Sequence, residues 1–139
     1  MDELLAAAAE AGLHVKFDNL GRRAGELRRS GLVLINHRKS ALAQKVALAH
    51  EMGHWHHGHD WSAAHDVERD ERQADVHAAR LLIRPVDYAL AERLVGPHPG
   101  ALARELDVTA RLVELWRAHV WRNATLGAVR VRRHLRSVS

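Results

Sequence analysis

His50 and His54 stand four positions apart in Ala47-Leu48-Ala49-His50-Glu51-Met52-Gly53-His54-Trp55, a stretch that reads as helix. That spacing puts both imidazoles on one helical face, one above the other, where two rings can hold a single metal ion. Glu51 follows His50 by one residue, about 100° round the helix. From there a carboxylate reaches water at an open coordination position and can serve as general base. The chain has 12 histidines and 9 glutamates. Such a composition yields His-Glu-x-x-His by chance in roughly one chain in fifteen, so the surrounding pattern has to decide.

Composition narrows the chemistry. The chain has 139 residues and no cysteine. Its length suits a single domain, 1–139, with a core that needs no staples. Disulfides, thiol catalysis and cysteine-ligated zinc are excluded, so any metal must sit on His, Asp or Glu. The opening Met1-Asp2-Glu3-Leu4-Leu5 is acidic and lacks a signal-peptide pattern, and no apolar run reaches the length of a membrane span. The expectation is a cytoplasmic protein without membrane contact. A net charge of +4 with a pI near 10.3 permits nucleic-acid contact without requiring it.

Taken in order, the chain predicts a helix over 3–11 with Asp2 as cap and Gly12 as stop. Leu13, Val15 and Phe17 alternate with His14 and Lys16, which predicts a strand with one buried face. A short second strand is expected over 25–29, and the apolar run Leu32-Val33-Leu34-Ile35 reads as the most buried strand. The expected fold is therefore α+β, with a small antiparallel three-stranded sheet leading into a helical, zincin-like core. Ser40 and Gly58 bracket the motif helix over 41–57. Leu42, Val46, Ala49 and Gly53 form its core stripe. A polar loop over 58–66 leads to a helix over 67–83 whose inner row is Glu71, Ala74, Ala78 and Leu82. The alanines let two helices approach closely enough for a carboxylate to reach the metal. Pro85 opens a third helix that Gly96-Pro97 ends. Two short helices, 99–106 and 109–121, follow before an Arg-rich tail over 128–139.

A catalytic zinc site takes three protein ligands and keeps one position open. The metzincin continuation fails, because it needs glycine at His57 and histidine at Asp60. His56, His57, His59 and His65 read as decoys at a polar helix end. The better third ligand is Glu71, with Asp75 one turn later on the same face. Asp75 is placed to accept the free ring N–H of a ligand histidine, which fixes the tautomer. This Glu-x-x-x-Asp pair is gluzincin-like. A His/His/Glu set accepts manganese as well as zinc. Tyr88, His77 and Arg84 are candidate transition-state stabilisers that the sequence does not separate.

The run from Leu32-Val33-Leu34-Ile35-Asn36 through His50-Glu51-Met52-Gly53-His54-Trp55 resembles the ImmA/IrrE metallopeptidases. So does Glu71-Arg72-Gln73-Ala74-Asp75 through Ala78-Ala79-Arg80-Leu81-Leu82-Ile83. The family pattern Glu-x-x-Ala-(Asn/Asp)-x-x-Ala-x-x-Leu-(Leu/Met/Ile)-x-Pro is kept to Ile83, after which Arg84 stands as one extra residue before Pro85. Length and basic tail resemble small versions in actinobacterial phages and mobile elements. The resemblance implies zinc on His50, His54 and Glu71, with Glu51 as catalytic base. It also implies cleavage of a helix–turn–helix repressor, the event that releases lysogeny or mobile-element genes.

The alternative lies in residues 100–121. Ala103, Leu106, Val108, Val113 and Trp116 have helix–turn–helix spacing, with Arg104, Arg111 and Arg117 among them. On that reading the protein is a regulator that binds DNA or docks on a repressor without proteolysis. An intact Glu51 favours the enzyme.

Overall fold

The computed structural model describes residues 1–59 and 67–121. Two compact units divide the chain, Met1–Leu82 and Ile83–Ser139. The architecture is α+β: six helices and one three-stranded sheet among the described residues. None of these helices is long and apolar enough to cross a membrane.

The first unit opens with α1 (Asp2–Glu10), then β1 (His14–Asp18), β2 (Gly25–Leu27) and β3 (Leu32–Asn36). The sheet is mixed, not antiparallel as expected: the order is β1-β3-β2, with β1 parallel and β2 antiparallel to β3. Burial explains the order. An antiparallel meander would put the three residues of β2 in the middle and the most apolar strand at an edge. Instead Val33, Leu34 and Ile35 are buried between two partners. The cost is a crossing connection from β1 to β2, which Asn36 holds in place. Its fully buried side-chain N–H2 donates to the carbonyls of Gly21 (3.0 Å) and Arg23 (2.8 Å), and its oxygen accepts from Arg38 N–H. The buried face expected of β1 is also absent. Leu13 is buried just before the strand, but Val15 is half-buried and Phe17 is 47% exposed. An edge strand with one neighbour has little to cover it.

Helix α2 (Ala41–His57) begins where Ser40 Oγ accepts from Ala43 N–H at 3.1 Å. It ends at Gly58, whose left-handed backbone (φ 63°) reverses the chain. Ala47, Leu48, Ala49, Met52 and Gly53 are its buried residues, a wider band than the predicted stripe, with Leu42 and Val46 only half-buried. The width follows from two sets of partners, since α2 packs on β2 and β3 and also on α3 (Val67–Leu82). The second contact is very close. A Cβ on Gly53 would lie 2.7 Å from Ala74 Cα and 2.8 Å from its carbonyl oxygen. Trp55 anchors the far end of α2, its indole N–H donating to Ala11 O at 2.9 Å.

In the second unit, Ile83 and Arg84 absorb the extra residue before Pro85, and Arg84 is extended (φ −82°, ψ 144°) ahead of α4 (Pro85–Val95). Helices α5 (Pro99–Leu106) and α6 (Ala110–Trp116) join through Asp107, which is left-handed at φ 54°. A π-helical turn, Arg117–Trp121, takes the place of the last turn of the predicted 109–121 helix. Tyr88 stacks on the buried Trp116 at 4.4 Å, and the Trp116 indole N–H donates to Ile83 O. The tail over 128–139 lies outside the described residues.

Candidate metal centre

The centre is built by α2 and α3 within the first unit. One helical turn on α2 brings His50 and His54 into edge-to-face contact, ring centroids 4.7 Å apart, with their Nε2 atoms 3.1 Å apart. The Gly53–Ala74 approach brings α3 close enough for Glu71 to reach both. One carboxylate oxygen lies 2.9 Å from His50 Nε2 and the other 3.0 Å from His54 Nε2. Among the described residues these three form the one group placed to hold a metal, their ligand atoms all within 4.8 Å of one another.

The donor set fits an ion. Two imidazole lone pairs facing each other repel unless a proton or cation lies between them. A tetrahedral ion with bonds of about 2.0–2.1 Å holds its ligand atoms roughly 3.3 Å apart, close to the separations here. The Glu71 side chain is 52% exposed and those of His50 and His54 only 19% and 13%, so the centre opens to solvent past the carboxylate.

Asp75, one turn beyond Glu71, bonds the other face of His50, Oδ1 to Nδ1 at 2.8 Å. Burial opposes a proton on His50. The Asp75 bond and the charges of Glu71, Asp75 and Glu51 outweigh it and raise the pKa. His54 goes the other way: burial and the neighbouring His50 lower it, against the pull of Glu71. Glu51 is half-buried beside Gly25 of β2. Burial raises its carboxyl above the usual range, with Glu71 and Glu26 adding to the rise and His50 opposing it.

The family model described as the IrrE N-terminal-like domain (Peptidase_M78) matches residues 8–114. The chain belongs to this metallopeptidase family. The matched span begins in α1 and ends in α6, so it takes in the sheet and both site helices of this IrrE-like domain. That agrees with the resemblance drawn from the residues around His50 and Glu71. None of the curated proteins compared matches the chain.

Each of the three candidate stabilisers has a partner within its own unit. His77 stacks on His56 with centroids 4.7 Å apart. Tyr88 and Arg84 belong to the second unit. The Tyr88 hydroxyl donates to Glu92 (2.8 Å) and accepts from Arg117 Nε (2.6 Å), while Arg84 Nε donates to Asp87 at 2.9 Å. Arg117 also donates to the Pro97 carbonyl, so one of the three arginines weighed for DNA contact is turned into its own unit. Of the decoy histidines, His65 lies outside the described residues. His59 is no mere polar helix end: its ring packs against His54, Nδ1 to Nδ1 at 2.7 Å. The signal for it was present in Gly58. A glycine at the position after a helix turns the next residue back over the fourth-last residue of that helix, here His54.

Proposed function

We propose that this IrrE-like domain is a zinc-dependent endopeptidase of gluzincin type, with His50, His54 and Glu71 as metal ligands and Glu51 as general base. The observation that carries the reading is the meeting of three ligand atoms from α2 and α3 beside a half-buried carboxylate. Bound zinc would supply Lewis acidity, polarising a peptide carbonyl and making water acidic near neutrality. Glu51 takes the proton of the attacking water, whose oxygen bonds to the carbonyl carbon. As the C–N bond breaks, Glu51 passes that proton to the departing amine nitrogen. Its raised carboxyl suits this work, because a base is most effective with a pKa nearer the working pH. Asp75 accepts the Nδ1 proton of His50 and keeps Nε2 bare for the metal.

The substrate we propose is a helix–turn–helix repressor in the cytoplasm, encoded by the same phage or mobile element, whose cleavage ends lysogeny. The resemblance supports this step, as the site itself is generic for peptide bonds. The test is metal content by mass spectrometry for wild type beside Glu71→Ala, followed by incubation of the repressor with wild type and Glu51→Gln. We expect about one zinc in wild type, sharply less in Glu71→Ala, and a folded, zinc-loaded Glu51→Gln slower by a factor of about 10²–10⁴. A wild type that stays metal-free after zinc addition would overturn the enzyme reading. Zinc uptake without cleavage of the repressor would overturn only the substrate.

A further inference from the structure

His54 has a support of its own, built from residues that none of the roles above uses. Its Nε2 faces the shared position with His50 and Glu71, at 3.1 and 3.0 Å. When that nitrogen gives its lone pair to a metal, the ring's proton must sit on Nδ1. His54 Nδ1 lies 2.7 Å from His59 Nδ1, a separation at which two ring nitrogens must share one proton between them. His59 therefore accepts, and its own proton is forced to Nε2. On that side stand Gln73 Oε1 at 2.9 Å and Asp70 Oδ1 at 3.4 Å. Asp70 is buried, at 5% exposure, and an ionised carboxylate has only acceptors to offer. Each nitrogen in the chain from the ligand position to Asp70 thus has one consistent role.

The backbone is built for the contact. His59 N–H donates to His54 O at 3.2 Å and Gly58 N–H to Trp55 O at 3.1 Å, the paired bonds of a Schellman turn. In that turn the residue after the glycine frequently packs an apolar side chain on the residue whose carbonyl it bonds, here His54. Here both positions carry imidazole.

We propose that His59 is a positioning residue for the metal centre, accepting the Nδ1 proton of His54 and tying that ligand to Asp70 and Gln73 of α3. It does for His54 what Asp75 does for His50, so α3 carries one ligand and backs both others, His50 directly and His54 through His59. The inference rests on His50, His54 and Glu71 holding the metal.

The test uses the full chain. Zinc affinity is measured by competition with a chromophoric chelator for wild type, His59→Leu and His59→Asn, each checked for folding by circular dichroism. Asparagine keeps an acceptor near the Nδ1 position and leucine does not. We expect His59→Leu to bind zinc about 10–100-fold more weakly and His59→Asn to recover most of the loss. Leucine and wild type binding alike would overturn the proposal while leaving the ligand triad intact. A wild type without zinc affinity overturns both. Should His59→Leu fail to fold, nitrogen NMR of the zinc-loaded wild type decides. His59 protonated on Nε2 and His54 on Nδ1 supports the proposal. His59 protonated on Nδ1, or bound to zinc as a fourth ligand, overturns it.

Discussion

At the scale of single residues, the centre depends on which nitrogen of each imidazole carries the proton. Asp75 bonds His50 Nδ1 at 2.8 Å, a contact that would hold the ring proton on that nitrogen when a metal takes the other, and its charge would add to the attraction for the cation. Asp75→Ala should therefore weaken zinc binding about 10–100-fold with little change in fold. Asp75→Asn should lie between the two, since an amide oxygen still accepts the Nδ1 proton but brings no charge. Chelator competition reads both, and equal affinity across the three proteins would reduce Asp75 to a helix charge. Asp75 was legible because helical spacing alone places 71 and 75 on one face. His59 was legible only in part: the reversal at Gly58 turns it back over His54, but its partners Asp70 and Gln73 come from a helix that spacing within α2 says nothing about.

Among the elements, the same distinction holds. Ser40, Gly58, Pro85 and Gly96 mark helix ends by local backbone chemistry, so the ends of α2 and α4 follow from neighbouring residues. Strand order depends on which distant strand completes a buried surface, and the alternation within 13–17 carries no information about direction. Asn36, an amide in an otherwise apolar run, was the one hint that a loop must be bonded at the end of β3. The α2–α3 contact has a sharper test. Gly53→Ala gains about 1 kcal/mol of helix propensity but sets a Cβ 2.7 Å from Ala74 Cα, a backbone atom that no rotamer change can move aside. Overpacking of this kind costs about 1–3 kcal/mol. The variant should lower the urea midpoint of the metal-free protein. It should also bind zinc more weakly, because pushing α3 away carries Glu71 with it. A variant more stable than wild type would show that the helices have slack at this point.

For the whole molecule, the histidines in and around the centre shape how the metal-free chain responds to pH. Burial, then histidine neighbours and for two of them Arg80, lowers the pKa of His54, His57 and His77. Their contribution to stability is present above the ordinary histidine value of about 6.5 and is lost as pH falls through their folded values, because the unfolded chain takes up protons first. His50 has the opposite sign. Its raised pKa contributes stability in full below about 6.5, lost as pH rises through the folded value. Glu51, also raised, loses its contribution as pH rises from the ordinary carboxylate range through its folded value. Metal-free protein should thus be most stable near the ordinary histidine value and weaken on both sides of it. Zinc removes one side only. Ligand imidazoles must be neutral, so a zinc-saturated chain has no His50 proton left to lose, and the stabilisation by metal grows as proton competition fades. Urea midpoints across this pH range, with chelator and with excess zinc, should show the alkaline decline in the first series and not in the second. Asp75→Asn should flatten it without metal. An alkaline decline that survives zinc saturation would place its origin outside the centre.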